Sequence, residues 1–414
     1  MTITRSPAFG PFSAGLAQGT RVLPEYDGGS IVNVTASILQ AFGCEPPSAP
    51  LRTDLLNPAV LSQAPGGVVC LVVDALGLAQ LQAGLAASRA PRLQRFIDEH
   101  GLPRRLTSIF PSTTTAALTS LATAQPPSKH GILGHVLWIE EVRAACNVLH
   151  FTPVGRPDQP IDDDLLRCEP TIHERVAAAG FDSVAITAAA YEGTAFTNLL
   201  QRGGEFVGYQ TQSQIPYLLE QTLSAKSGRG RCFVGMYWPH IDTIAHVYGP
   251  DLPEAPCEAS ALELEFVDQM IGHTADICRR YRCALLITAD HGQATLDPHL
   301  SCSLPRDLLA NLRQRPAGGR RAAYLACDHP AELAQSVVPH ASDLLPMDEV
   351  IDAGWFGGPL SPVFRQRIGD WLALAHDGVQ FLIDDGDGVF PQLGGHAGLT
   401  PHEMEVPLLL APAD

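Results

Sequence analysis

Six residues of metal-ligating type and one run of hydroxyls stand where the sequence pattern says the chain turns. Asp242 and His246 are four apart, in Asp-Thr-Ile-Ala-His. On a helical turn such a pair shares one face, so a carboxylate and an imidazole could grip one ion. Donors of this kind suit zinc, and also manganese or iron. Asp290 and His291 are adjacent and are followed by Gly292. Neighbours on a strand point to opposite faces, so both reach one site only where the strand ends and the chain turns. Asp74 closes the apolar run VVCLVVD, and His396 lies in Gly-Gly-His-Ala-Gly, where glycines let backbones approach closely. Ser112-Thr-Thr-Thr115 follows Pro111 and precedes the Ala/Leu-rich run Ala116–Ala124. A helix beginning there would turn free N–H groups and its positive dipole end toward a phosphate. A hydroxyl at that point becomes a nucleophile if metal coordination lowers its pKa.

Each signal also has a plain structural reading. Asp74 could cap a helix, Asp242 and His246 could bond only to one another, and Asp290-His-Gly could be a closing turn. The glycine loop could carry an incidental His396, and a Ser or Thr before a helix is normally an N-cap. Together, however, they supply three Asp, three His and a hydroxyl. That is about the complement that two metal ions roughly 3.5–4 Å apart require.

The elements that would position these groups are short and apolar. Val68–Asp74, Cys232–Trp238 and Ala284–Asp290 are too short for helices, and their hydrophobicity is continuous rather than alternating. Strands covered on both faces, as in a parallel sheet, read this way. Val184–Thr187, Val379–Ile383 and Val406–Leu410 are weaker strand candidates. Helical patterns lie between them: Ala261–Arg280, with Leu262, Phe266, Met270 and Ile277 near one face, then Ile172–Ala179, Ala331–Val338 and Val363–Ala375. Strands alternating with helices predict a doubly wound α/β architecture. Ligands in such folds bind beyond the carboxyl ends of the strands, where Asp74, Asp242 and Asp290 would stand. The stretches 140–230 and 303–386 are more mixed in character and are expected to be cap-like insertions, the second holding the basic Arg313–Arg321. Residues 1–65 are expected to be an N-terminal extension packed on a single catalytic domain, 66–414.

Composition narrows the function further. The chain has 414 residues, 45% hydrophobic and 17% charged, which fits a folded protein with a large core. Its 27 Lys and Arg against 44 Asp and Glu give a formal charge of −17, which disfavours duplex nucleic acid as a partner. The ten cysteines include no Cys-x-x-Cys pair, so thiolate zinc sites lack their usual spacing. With no secretory h-region and no long apolar run, the expected location is the reducing cytoplasm, away from membranes.

Taken as an ordered set, these residues resemble the alkaline phosphatase superfamily, and within it the type I phosphodiesterase/nucleotide pyrophosphatase family. The resemblance runs from about Val68 to Leu410 and is densest in FPSTTTAALTSLATAQPPSKHGILGH, Phe110 to His135. There Pro111, Ser112 and Thr114, then Thr123, then Pro127, His130, Gly131 and Ile132 fall on the family pattern. The resemblance implies a central, mostly parallel sheet flanked by helices on both faces, and two divalent metal ions, zinc before manganese or iron. One ion would take Asp242, His246 and His396, and the other Asp74, Asp290 and His291. Thr114 would be the nucleophile, with Ser112, Thr113 and Thr115 as hydroxyls off the matching position. His135 stands where the nucleotide pyrophosphatases usually carry an Asn that donates to a phosphate oxygen; it is either a substrate-binding residue or a buried structural His. Thr115 stands where those enzymes often carry a base-stacking Phe. The implied activity is hydrolysis of phosphodiester or pyrophosphate bonds in a small-molecule phosphate ester, through a phosphothreonine intermediate. A phosphomonoesterase or phosphonate hydrolase is the alternative, with a metal-dependent mutase or a non-catalytic relative behind it. A sulfatase is disfavoured, because its C/S-x-P-x-R context is absent.

Overall fold

The computed structural model describes residues 21–167, 169–337, 342–386 and 388–413. Cys168 and the last residue of the expected helix to Val338 lie outside them.

The three strongest apolar runs form adjacent parallel strands, Cys283–Thr288, Gly67–Val73 and Cys232–Trp238. Asp182–Ala188 and Glu205–Tyr209 continue the sheet in parallel on one side. On the other side Glu405–Ala411 runs antiparallel, followed by Arg104–Thr107. The seven strands thus form one mostly parallel sheet. Two groups of helices sandwich it, which is why the central strands are continuously apolar. One group is Ile31–Ala41, Thr114–Thr123, Ile172–Ala178 and Ala195–Leu200; the other is built around Glu258–Arg280. Val73 pairs with Trp238 and Val72 with Thr288, so the central strands stop at one level. Asp74, the helix carrying Asp242, and Asp290 therefore emerge along one rim.

A second seven-stranded sheet is antiparallel. It joins Val136–Ile139, Ala144–Asn147 and Thr152–Pro153 to strands from Ala317 to Ala375. A three-stranded sheet of Gly378–Phe381, Ala294–Cys302 and Gly394–Gly395 carries the chain back toward the rim.

Several expectations change. The stretch 140–230 is not solely a cap, because Asp182–Ala188 and Glu205–Tyr209 widen the main sheet. Val363–Ala375 is not one helix: Pro362–Gln366 is helical, and Trp371–Ala375 is a strand paired on both edges. Gly369 separates the two, at a point where an added Cβ would lie 2.4 Å from the Leu325 backbone. The strand candidate Val379–Ile383 is met by Gly378–Phe381, which lies in the small sheet. In the long helix, Met270 and Ile277 are buried, but Leu262 and Phe266 face solvent. The buried stripe is Leu264, Val267, Ile271 and Cys278, which keeps the helical period better than the expected face does. Among the described residues nine cysteines are free, and no helix is long and apolar enough to cross a membrane.

Candidate metal centre and nucleophile

At the carboxyl rim the six ligand-type residues converge in two groups. Asp74, Asp290 and His291 are buried, and their ligand atoms all lie within 4.8 Å of one another. His291 Nε2 is 3.5 Å from Asp74 Oδ1 and 3.4 Å from Asp290 Oδ2. In the second group, Asp242 Oδ1 is 3.3 Å from His246 Nε2 and 3.6 Å from His396 Nε2. The two imidazole Nε2 atoms are 3.3 Å apart. The groups are contiguous, because the His291 and His396 rings stack at 3.9 Å, and ligand atoms of Asp242, His291 and His396 also lie within 4.8 Å of one another.

Backbone carbonyls fix the tautomers. His246 Nδ1 donates to Gly394 O at 2.9 Å, His396 Nδ1 to Ser112 O at 2.9 Å, and His291 Nδ1 to Gly292 O at 3.0 Å. A carbonyl can only accept, so each Nδ1 holds a proton, and in the neutral form of each ring the Nε2 lone pair turns toward the site. Burial pushes His291 down to about 4 and His396 down to about 3, so both rings are neutral near pH 7. Burial would also lower His246, but Asp242 outweighs it and leaves that pKa raised.

The carboxylates are satisfied on one side only. Asp74 Oδ2 accepts from the Tyr237 hydroxyl, whereas the buried Oδ1 has no donor. Asp290 Oδ1 accepts from the backbone N–H of Ala75 at 3.2 Å and of His291 at 2.9 Å, whereas its buried Oδ2 has none. Ala75 takes φ 61° to aim that N–H. A non-glycine residue adopts this conformation only where its surroundings impose it. Burial, and then the neighbouring Asp290, drives the Asp74 carboxyl well above its ordinary range; burial raises Asp290 as well. Donorless buried oxygens beside facing imidazole lone pairs repel one another unless positive charge sits between them. The donor set of carboxylate oxygen and imidazole nitrogen fits divalent zinc, manganese or iron.

Thr114 is the first residue of the helix Thr114–Thr123. Its Oγ1 lies 3.1 Å from His291 Nε2, and because that nitrogen carries no proton the hydroxyl is the donor. The other three hydroxyls of the run are buried. Ser112 donates to Gly398 O at 2.8 Å and Thr115 to Gly134 O at 2.9 Å. Thr113, at the N-cap position, makes no side-chain cap bond. The helix-capping reading of the run therefore does not account for Thr114.

Glycine serves a definite purpose at Gly394. An added Cβ would stand 2.4 Å from Ala245 O and from Gln293 Oε1, so only glycine lets this strand lie against the Asp242–His246 helix. His135 is held in the second sheet, where its backbone N–H donates to Gly318 O at 3.1 Å. Its Nε2 is 3.1 Å from Asn147 Nδ2, which donates to it.

Three supporting groups were not anticipated from the sequence. Tyr237 orients Asp74, and Gln293 donates through Nε2 to Asp242 Oδ1. Gln293 directly follows Asp-His-Gly, so its place beside the motif was a usable signal. The third is the fully buried Arg321–Glu403 ion pair. Glu403 also accepts from Gly398 N at 2.8 Å and from Thr400, clamping the loop that carries His396. No local pattern connects residues so far apart in sequence.

Comparison with known proteins finds this architecture in several solved structures. Murine ectonucleotide pyrophosphatase/phosphodiesterase 5, solved as an inactive variant with AMP, superposes with a TM-score of 0.63 at 14% identity. That match covers 82% of this chain and 87% of the other. Phosphonoacetate hydrolase from Sinorhizobium meliloti, solved with phosphonoacetate, gives 0.60 at 20% identity over 84% and 90% of the two chains. The human ectonucleotide pyrophosphatase/phosphodiesterase 5 gives 0.60 at 15% identity over 83% and 87%. At these identities the likeness is one of fold. No curated protein sequence matches the chain. The type I phosphodiesterase/nucleotide pyrophosphatase profile, however, matches residues 68–399, and the chain belongs to that family. It is accordingly an enzyme, a hydrolase of the type I phosphodiesterase/nucleotide pyrophosphatase family.

Proposed function

We propose that this chain hydrolyses phosphodiesters in small molecules, with Thr114 as the nucleophile. The observation that carries the reading is the Thr114 hydroxyl 3.1 Å from His291 Nε2, beside buried carboxylate oxygens that lack donors. Asp74, Asp290 and His291 would hold one divalent ion, and Asp242, His246 and His396 a second, with zinc the best fit to the donors. Such ions, when bound, lower the pKa of a nearby hydroxyl and neutralise charge on phosphoryl oxygens. Thr114 Oγ1 attacks phosphorus in line as the ester bond opposite breaks; the Thr114 proton passes to solvent, and the leaving alkoxide takes one from solvent and departs as the alcohol. Water then cleaves the phosphothreonine ester, so two inversions give net retention. His135, whose Nε2 accepts from Asn147, belongs to the same reading as a substrate-binding residue, on the family position where an Asn usually stands. A reducing compartment, the cytoplasm, belongs to the same reading; the nine cysteines among the described residues carry free thiols.

A monoester carries an additional charge that calls for a nearby cation. Arg320 stands close enough to His246 to repel its proton, but its guanidinium is spent. It donates to Asp385 at 2.8 Å and to the carbonyls of Gly388 and Phe390. This favours diesters over monoesters. Phosphonate hydrolysis is a second reading, favoured by the fold shared with phosphonoacetate hydrolase. Zinc-loaded protein and Thr114→Ala should be assayed on bis(4-nitrophenyl) phosphate, 4-nitrophenyl phosphate and phosphonoacetate. Diester turnover that is lost in the variant, with phosphothreonine trapped by acid quench in the wild type, is the expected result. Full activity in Thr114→Ala, or inversion at a chiral phosphorus, overturns it.

A further inference from the structure

A cavity of about 380 Å³ opens at Thr114, Asp74 and Asp242 and runs inward between the main sheet and the helix Thr114–Thr123. That volume is within the range of small-molecule sites. Its floor follows the strand period, since Cys70, Val72 and Asp74 line it from one strand and Gly235 and Tyr237 from the neighbour. Cys70 pairs with Gly235 and Val72 with Tyr237, so the floor is one continuous face. Its roof follows the helical period: Thr114, Leu118, Leu121 and Ala122. Four strand residues from the rim to Cys70 span about 13 Å. Eight helical residues from Thr114 to Ala122 span about 12 Å. Both walls therefore give a slot of the same depth, beginning at the nucleophile. Val72, Gly235 and Leu118 are only partly buried, although they sit in the middle of the sandwich.

The lining decides what can enter. It includes no Lys or Arg among the described residues. Deep in the cavity, His173 Nδ1 is 2.7 Å from Ser183 Oγ, and burial lowers the ring pKa to about 4, so it brings no charge. Thr35 Oγ1 is used by Leu121 O at 2.6 Å. Gln201, whose Oε1 is buried without a partner, is an exception to this apolar character. The residue after the nucleophile, Thr115, is turned away to Gly134 O and presents no ring to a nucleobase. Beyond the residues assigned to metal, the cavity wall offers no Lys or Arg to the further phosphates of a nucleoside polyphosphate.

We infer that this cavity holds an uncharged alkyl or acyl arm of the substrate, making the substrate a phosphodiester with one long apolar ester group. The inference rests on the hydrolase reading above and adds the substrate class. Each methylene taken from water into the slot is worth up to about fourfold in kcat/KM.

The test uses zinc-loaded full chain and a series of alkyl 4-nitrophenyl phosphates: methyl, butyl, octyl and decyl. kcat/KM should rise at least tenfold from methyl to octyl. Gly235→Leu should reduce the octyl-to-methyl ratio at least tenfold by filling the inner end. A Cβ there meets Phe233 at 3.5 Å and His173 at 3.7 Å, ordinary contacts that leave the strand in place. Ala122→Leu, on the opposite wall, provides a second blocking variant. A readout independent of turnover is the fluorescence of N-phenyl-1-naphthylamine with metal-free protein. It should increase with the wild type, fall on adding decanol, and stay low with Gly235→Leu. Equal kcat/KM along the series, or faster turnover of thymidine 5′-(4-nitrophenyl phosphate) than of the octyl ester, overturns the inference and leaves the hydrolase reading standing. Absence of turnover on every ester sinks the hydrolase reading, and probe binding then decides the cavity alone.

Discussion

Glu403 and the Asp74–Asp290 pair are equally buried, yet the molecule treats them in opposite ways. Glu403 meets Arg321 through both oxygens, at 2.8 and 3.0 Å, and accepts further bonds from Gly398 and Thr400. Burial alone would raise its pKa, but Arg321 and these donors hold it below the ordinary range. Asp74 and Asp290 each have an oxygen without a donor, and their pKa values are driven up. A buried carboxylate costs several kcal/mol unless it is compensated. The compensation of Glu403 is built from the chain, whereas the facing oxygens of the aspartates receive no donor from it. One arrangement holds a loop in place; the other keeps a site demanding positive charge beside Thr114.

The largest test of this contrast is on rate. Thr114→Ala should reduce diester kcat by at least about 10³-fold, since removing a nucleophile disables the whole catalytic unit. Zinc content, measured by mass spectrometry, should stay unchanged. A variant that loses metal instead would move Thr114 from nucleophile to ligand.

Next comes the compensated carboxylate. Glu403→Gln leaves Arg321 buried and unpaired, and should cost about 3–5 kcal/mol in urea unfolding. The pH sign follows from its lowered pKa. Glu403 contributes stability above the unfolded carboxylate value of about 4.3, lost as pH falls through the folded value. The variant should therefore show a flatter loss of stability below about pH 4. Because the clamp holds the His396 loop, zinc affinity should also weaken by about 10–100-fold, as for other supporting groups around a metal.

The uncompensated pair should behave the other way. In metal-free protein, Asp74→Asn removes a repelling charge and should raise stability by about 1 kcal/mol, while abolishing binding of one zinc. Loss of stability in that variant would show that the pair is compensated from within the chain. Saturating zinc should raise Tm in the wild type, by about 2.7 kcal/mol of stabilisation at a hundredfold excess over Kd.

The smallest effect belongs to a residue in neither group. Cys232 is buried at the amino end of its strand, with Sγ 3.5 Å from Gly66 O. Cys232→Ala should cost about 1 kcal/mol and leave kcat and zinc content alone.

Much of the site and of the main sheet is legible in the order of residues. Asp242 and His246 meet because four residues make one helical turn, and Asp290 and His291 because a strand ends just ahead of them. The three central strands are recognisable because their apolar runs are short and continuous. Periodicity with weak contrast is what misleads. The Trp371–Ala375 segment alternates Leu and Ala, and this fits a helix until sheet pairing on both edges claims it. Leu262 and Phe266 fit a buried face that the neighbouring stripe in fact occupies.

The sequence by itself determined which side chains of metal-ligating type stand at the rim, their order along the chain and the strand ends that bear them, because each of these is encoded within a turn or a strand. Only the tertiary structure decided that Ser112 and Thr115 are spent on backbone carbonyls while Thr114 faces His291. It also decided that Arg321 answers Glu403 and not the aspartates, and that a slot lies open between two walls distant in the chain. Those outcomes depend on which surfaces pack together, and packing pairs residues whose separation in sequence carries no period to read.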